Sequence, residues 1–209
     1  MSDQLVLIGA GGHGRVVLDT AREAGLNVAA IVDPELAESV EVMGVPVLAI
    51  RDEDVVRLGF GGWLNGLGAN PDTSLRTAMA QRIGPLMNMP ALIHPRAIVS
   101  GRAVVADGVQ IMAGAVVQSG ALLGWDAVVN TGSLVEHDCS IGPHGFIGSG
   151  AVLSGAVAIG ECSFVGAGAV ILPGIVVGAR AVVGAGAVVI CDVADGTTVV
   201  GCPAKVLDR

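Results

Sequence analysis

The chain has 209 residues, a net charge of −8 and a mean hydropathy of +0.72. The acidic balance excludes a basic groove for nucleic acid as the main function. The hydropathy does not mark a membrane span. The charge-free stretches 139–160 and 162–179 carry Gly or Ser every few residues, Pro143 or Pro173, and an apolar period of six. A lipid-facing helix needs about 20 mostly apolar residues in succession.

The opening MSDQLVLIGAGG has no basic n-region, so no signal peptide is expected. Cys139, Cys162, Cys191 and Cys202 make no CxxC and fit no zinc spacing, which predicts reduced thiols in a cytoplasmic protein. Gln4–Gly9 reads as a short buried strand. Residues 13–25 form the next element, a helix with Val16, Val17 and Ala21 inward, then Val28–Val32 a second strand ending at Asp33. Pro46–Ala49 and Gly62–Leu67 are weaker strands. Pro71–Ile83 reads as a helix capped by Asp72 or Thr73, with a stripe of Leu75, Met79 and Ile83. Alternating strands and helices predict a small parallel α/β sheet, half of a Rossmann domain. Pro85–Pro95, with three prolines, reads as the connection to the second half of the chain.

From Val99 to Val189, every sixth residue is Val, Ile or Leu, sixteen in a row. Two places before each, thirteen of the sixteen residues are small. Six is neither the helical nor the strand period, and a hexapeptide repeat predicts a parallel β-helix. Three hexads close a triangular coil of 18 residues, so 97–192 gives a little over five coils. The aliphatic residue fills the interior and the small one fits beside it near the corner. The tail from Asp192 loses the period. Two domains are therefore expected, 1–90 and 91–209.

Gly9-Ala10-Gly11-Gly12-His13-Gly14 fits GxGxxG between a strand and a helix, and Asp33 ends the next strand. Such a turn brings phosphates to the N–H groups at a helix start. A dinucleotide normally spans two such halves. One half suits a nucleoside diphosphate linked to a sugar, with His13 in reach of a phosphate or sugar hydroxyl.

His137 falls outside the interior register, near a corner, between Glu136 and Asp138, in a repeat region with only eight charged residues over 97–192. A carboxylate beside an imidazole holds its tautomer and raises its basicity, which equips a general base. Either Glu136 or Asp138 has the chemistry to orient the ring. Asn130 lies seven residues upstream, and His144 offers a second donor seven residues on. Two prism histidines do not make a three-His zinc site, so no metal is expected.

The hexads, the Glu136-His137-Asp138 cluster and the Val200-Gly201-Cys202-Pro203-Ala204-Lys205-Val206-Leu207 tail resemble the left-handed β-helix acyltransferases. With the N-terminal glycine turn, residues 1–207 resemble the sugar O-/N-acyltransferases of the sialic acid O-acetyltransferase type. PglD-like and perosamine N-acetyltransferases belong to that group. The resemblance implies an α/β half-Rossmann domain followed by a left-handed β-helix, and a homotrimer with acetyl-CoA between neighbouring prisms. It implies His137 as the base and the acidic residue after it, here Asp138 where Glu is common, as its orienter. It implies that His144 meets the thioester end of acetyl-CoA, that Gly155, Ala167 and Ala185 line the CoA groove, and that Gly11, Gly12, His13, Asp33 and Gly68 surround a nucleotide-sugar. The expected reaction is N-acetylation of a nucleotide-linked 4-amino sugar in glycan biosynthesis. O-acetylation of sialic acid or another free sugar is the alternative.

Overall fold

The computed structural model describes residues 4–36 and 40–207. The chain separates into two compact units, Met1–Gly68 with Ser74–Leu92, and Ala69–Thr73 with Ile93–Arg209.

The first unit holds β1 (Gln4–Ile8), α1 (Gly12–Glu23), β2 (Asn27–Val32), β3 (Glu41–Val42), β4 (Val45–Leu48), β5 (Gly62–Asn65) and α2 (Ser74–Ile83). The sheet order is β3-β4-β2-β1-β5, parallel except for the β3–β4 hairpin. The chain leaves β1 toward β2 and returns on its other side as β5. That reversal places a crevice beyond the carboxyl ends of β1 and β5, where open α/β sheets bind ligands. The hairpin turns at Met43 and Gly44, both with positive φ, and a 3-10 helix covers Asp52–Leu58; neither was expected from the sequence. Two inward assignments also change. Val16 is exposed, and α1 packs through Val17, Leu18 and Ala21. On α2, Met79 and Ile83 are buried, but Leu75 is 67 % exposed while Arg76 is fully buried.

The second unit is a parallel β-helix whose strands repeat every 18 residues. Its first face stacks strands beginning at Ile98, Val116, Leu134, Val152, Val170 and Val188. The second stacks those at Val104, Leu122, Ser140, Ala158 and Val176. The third runs from Leu92–Ile93 through Gln110, Val128, Phe146, Phe164 and Val182 to Thr198–Val200. Lys205–Val206 closes that sheet in the antiparallel sense. The coil thus begins inside the expected 85–95 connection and outlasts 192. The second residue of most strands is buried in one continuous core, with Ala115, Ala121, Ala127, Cys139 and Ala151 as the small corner neighbours.

Most corners have one position in left-handed backbone. Between the third and first faces it is glycine every time, at Gly114, Gly132, Gly150, Gly168 and Gly186. Between the first and second faces the sequence is Gly120, Asp138, Ala156, Gly174. Between the second and third it is Gly108, Asp126, His144, Cys162, Arg180, Gly196. A side chain there costs roughly 1–2 kcal/mol. Asp126, Asp138 and His144 therefore stand where glycine would be the cheaper choice, and such positions cluster at functional sites.

No described helix is long and apolar enough to cross a membrane. Among the described residues no group of three or more His, Cys, Asp or Glu could hold a metal ion.

Candidate active site

The corner 136–139 joins the first and second faces of the β-helix. His137 Nδ1 lies 2.9 Å from Asp138 Oδ2, and both side chains are mostly exposed, at 63 % and 70 %. A carboxylate only accepts, so Nδ1 carries the proton and neutral His137 keeps its lone pair on Nε2. Glu136 does something else: its Oε2 accepts from the His137 backbone N–H at 3.3 Å. The sequence left the two acids equivalent, and the geometry puts Asp138 alone on the ring.

Glycines one coil away make room on both sides of this pair. A Cβ on Gly120 would strike Asp138 Oδ1, and a Cβ on Gly155 would come within 2.5 Å of His137 Nε2. Gly155 therefore keeps the approach to the basic nitrogen open. Cys139 at the same corner is buried, and its Sγ donates to the Ser154 carbonyl at 3.1 Å. Burial pushes its thiol pKa up, which removes it as a thiolate nucleophile.

The other expected prism residues sit at different corners. Asn130 is between the third and first faces, and its Oδ1 accepts from the Thr131 N–H at 2.8 Å. Ala167 and Ala185 occupy that same corner one and two coils beyond Gly148–Ala151, spaced by 18 residues. His144 is between the second and third faces, where its Nδ1 meets Asp126 Oδ2 at 2.9 Å. Both side chains are buried, at 6 % and 0 %. The Trp125 ring stands edge-on to the imidazole at 5.0 Å. Within one chain, then, the β-helix brings together His137, Asp138, Glu136 and Gly155, and does not bring Asn130, His144, Ala167 or Ala185 to them. Asp126 escaped the sequence reading, although it lies one 18-residue coil before His144.

In the first unit the glycine turn follows β1. Gly9 has a φ of +99°. A Cβ on Gly14 or Gly66 would strike the Gly9 carbonyl, so both are required for α1 and the bend after β5 to close on β1. Gly11 caps α1 and Gly12 opens it, and an added Cβ at either meets nothing within 4 Å. The helix start is thus open to a ligand, with N–H groups and the positive end of the dipole toward it. Gly68 packs on His13 Cβ, 3.1 Å from its own Cβ position. Asp33 Oδ2 accepts from the Ala10 N–H at 2.9 Å, and Oδ1 from the Glu35 N–H at 3.0 Å. Its carboxylate ties the turn to the end of β2. A cavity of about 230 Å³ opens there, lined by Ile8, Gly9, Asp33, Glu35, Leu75 and Met79 among others. An apolar slot beside an open helix start suits a flat base followed by phosphates.

The model of the PglD N-terminal domain family matches residues 4–82. No curated protein sequence matches the chain. Perosamine N-acetyltransferase from Caulobacter crescentus, a histidine mutant solved with CoA and GDP-perosamine, is 34 % identical with a TM-score of 0.92, over 99 % of this chain and 97 % of that one. The acetyltransferase domain of PglB from Neisseria gonorrhoeae FA1090, solved with acetyl coenzyme A, is 36 % identical with a TM-score of 0.91, over 99 % and 100 %. This chain belongs to the PglD-type hexapeptide-repeat sugar N-acetyltransferases. WeeI from Acinetobacter baumannii AYE, at 25 % identity and a TM-score of 0.85, has the same architecture over 97 % of this chain.

Two features of this PglD-type chain stand out. One is an open glycine turn beside an apolar cavity. The other is an exposed imidazole with a carboxylate on one nitrogen and a glycine, Gly155, beside the other.

Proposed function

We propose that this protein moves the acetyl group of acetyl-CoA onto the amine of a nucleotide-linked amino sugar, with His137 as general base. The observation that carries the reading is the His137–Asp138 pair with Gly155 leaving Nε2 open. It occurs in a chain alike over nearly its whole length to an enzyme solved with CoA and GDP-perosamine.

The first unit holds the nucleotide: the base in the apolar cavity, the diphosphate at Gly11 and Gly12, with His13, Asp33 and Gly68 around it. The amine attacks the thioester carbonyl. As the C–N bond forms, His137 Nε2 takes a proton from the nitrogen, and Asp138 stabilises the resulting imidazolium. The tetrahedral intermediate collapses, the C–S bond breaks, and CoA leaves as a thiolate that recovers the proton from His137. Backbone N–H donors stabilise the oxyanion. Removal of the base costs roughly 10²–10⁴ in rate.

The active form is a homotrimer. The outward residues of the first face are all aliphatic, at Ile98, Val116, Leu134, Val152, Val170 and Val188, which supports packing of prism against prism. A neighbouring chain also supplies what one chain separates. The corner of Asn130, Ala167 and Ala185, or that of His144, then faces the His137 corner of its neighbour across a groove for CoA. Use of acetyl-CoA and four free cysteines fit a cytoplasmic enzyme. The glycine turn has no task in O-acetylation of a free sugar.

The test is thiol release from acetyl-CoA with UDP-, GDP- and dTDP-linked 4-amino sugars and with free sialic acid. Turnover with a nucleotide-linked amino sugar is expected. Turnover with sialic acid alone overturns the reading.

A further inference from the structure

We infer that Arg76 and Asn65 form a buried clamp that positions the nucleotide end of the site; the inference rests on the reading of the first unit's cavity as the nucleoside subsite. Arg76 lies in the first turn of α2, Asn65 at the end of β5, and both are fully buried. Arg76 Nη1 donates to the Leu67 carbonyl at 2.8 Å and to the Asn65 carbonyl at 3.4 Å. Asn65 Nδ2 donates to the Arg76 carbonyl at 3.3 Å, and Asn65 Oδ1 accepts from the Leu67 N–H at 3.2 Å. These bonds tie the start of α2 to the bend that follows β5.

Stability alone does not call for such an arrangement. Burying a guanidinium is expensive, and well-packed apolar residues of similar volume often serve stability as well as buried charged groups do. What the guanidinium supplies is direction, through a rigid planar fork of donors. The bend it holds is a wall of the cavity. Leu67 lines it from the bend, and Leu75 and Met79 line it from α2. The same bend sets Gly66 against the Gly9 carbonyl and Gly68 against His13. The clamp therefore fixes the distance between the cavity wall and the glycine turn. Arg76 is a positioning residue, acting through side chains that line the cavity.

The experiment is titration calorimetry of the intact protein with UDP, GDP and acetyl-CoA, for the wild type, Arg76→Lys, Asn65→Ala and Ile83→Val. Lysine keeps the charge and loses the fork. Ile83 is buried on the same helix and does not line the cavity, so its variant reports lost packing alone. Both clamp variants are expected to bind the preferred nucleoside diphosphate about tenfold more weakly or worse, the scale of one charged hydrogen bond. Acetyl-CoA affinity stays within about twofold of wild type in every variant, and so does nucleotide affinity in Ile83→Val, well under the tenfold that marks a lost interaction. Nucleotide affinity within that twofold in either clamp variant overturns the inference. So does an equal loss in Ile83→Val or for acetyl-CoA, and so does loss of a cooperative melt in both clamp variants. A wild type that binds neither UDP nor GDP overturns the nucleotide reading itself, and the clamp with it.

Discussion

Asp138 reaches back to the imidazole of the residue before it, Oδ2 to Nδ1 of His137 at 2.9 Å, from a backbone φ of +58°. The left-handed turn is what lets two neighbours in sequence face one another at a corner. Asp138→Asn removes the acceptor charge that stabilises the imidazolium and is expected to lower kcat by roughly 10²-fold or more. Glu136→Gln, which leaves the ring untouched, is expected to stay within about threefold of wild type, because only a backbone contact is altered. Steady-state kinetics of the two variants side by side decide the assignment, and equal losses would reject it.

The same residue should trade stability for function. Glycine relieves the left-handed strain at 138, so Asp138→Gly is expected to match or exceed the wild type in stability, by up to about 1 kcal/mol, while losing activity as Asp138→Asn does. Urea denaturation measures the first part. A clear drop in stability would mean that the aspartate also holds the corner together.

Gly155 carries a prediction of the opposite kind. A methyl group there would crowd His137 Nε2 at 2.5 Å. His137 is exposed and can swing aside, so Gly155→Ala should fold with its melting temperature nearly unchanged and turn over at least about tenfold more slowly, from a displaced base. Normal kcat in this variant would show that Nε2 is approached from elsewhere.

The glycine turn separates positions needed by the fold from positions needed by the ligand. Gly14→Ala places a Cβ against the Gly9 carbonyl and is expected to destabilise the first unit by roughly 1–3 kcal/mol. Gly11→Ala meets nothing in the protein, so it should melt like the wild type and bind UDP or GDP more weakly. Thermal melts and calorimetry on both variants test the distinction, which fails if Gly11→Ala binds nucleotide normally.

The hexad register was legible because the three-sided coil turns one residue fully inward every six, and that position is aliphatic in every hexad from Val99 to Val189. Corner geography was not. His137 and His144 are seven residues apart, close in sequence, yet one strand carries the chain from one corner to the next between them. Neighbours along a corner are 18 apart, which pairs His144 with Asp126 at 2.9 Å and His137 with Gly155. The start of the coil at Leu92 was hidden by the prolines around it. In α2 the periodic stripe named Leu75, which opens onto the cavity, and passed over Arg76, whose buried place depends on the carbonyls of Asn65 and Leu67. Those acceptors come from a distant bend, and no local pattern announces them.

The most direct test of the account is thiol release from acetyl-CoA by wild type and His137→Ala with a saturating nucleotide-linked amino sugar. Rapid release by the wild type and a loss of roughly 10²–10⁴ in kcat for the variant are expected, with acetyl-CoA affinity retained. Near-normal turnover by His137→Ala would contradict His137 as the base.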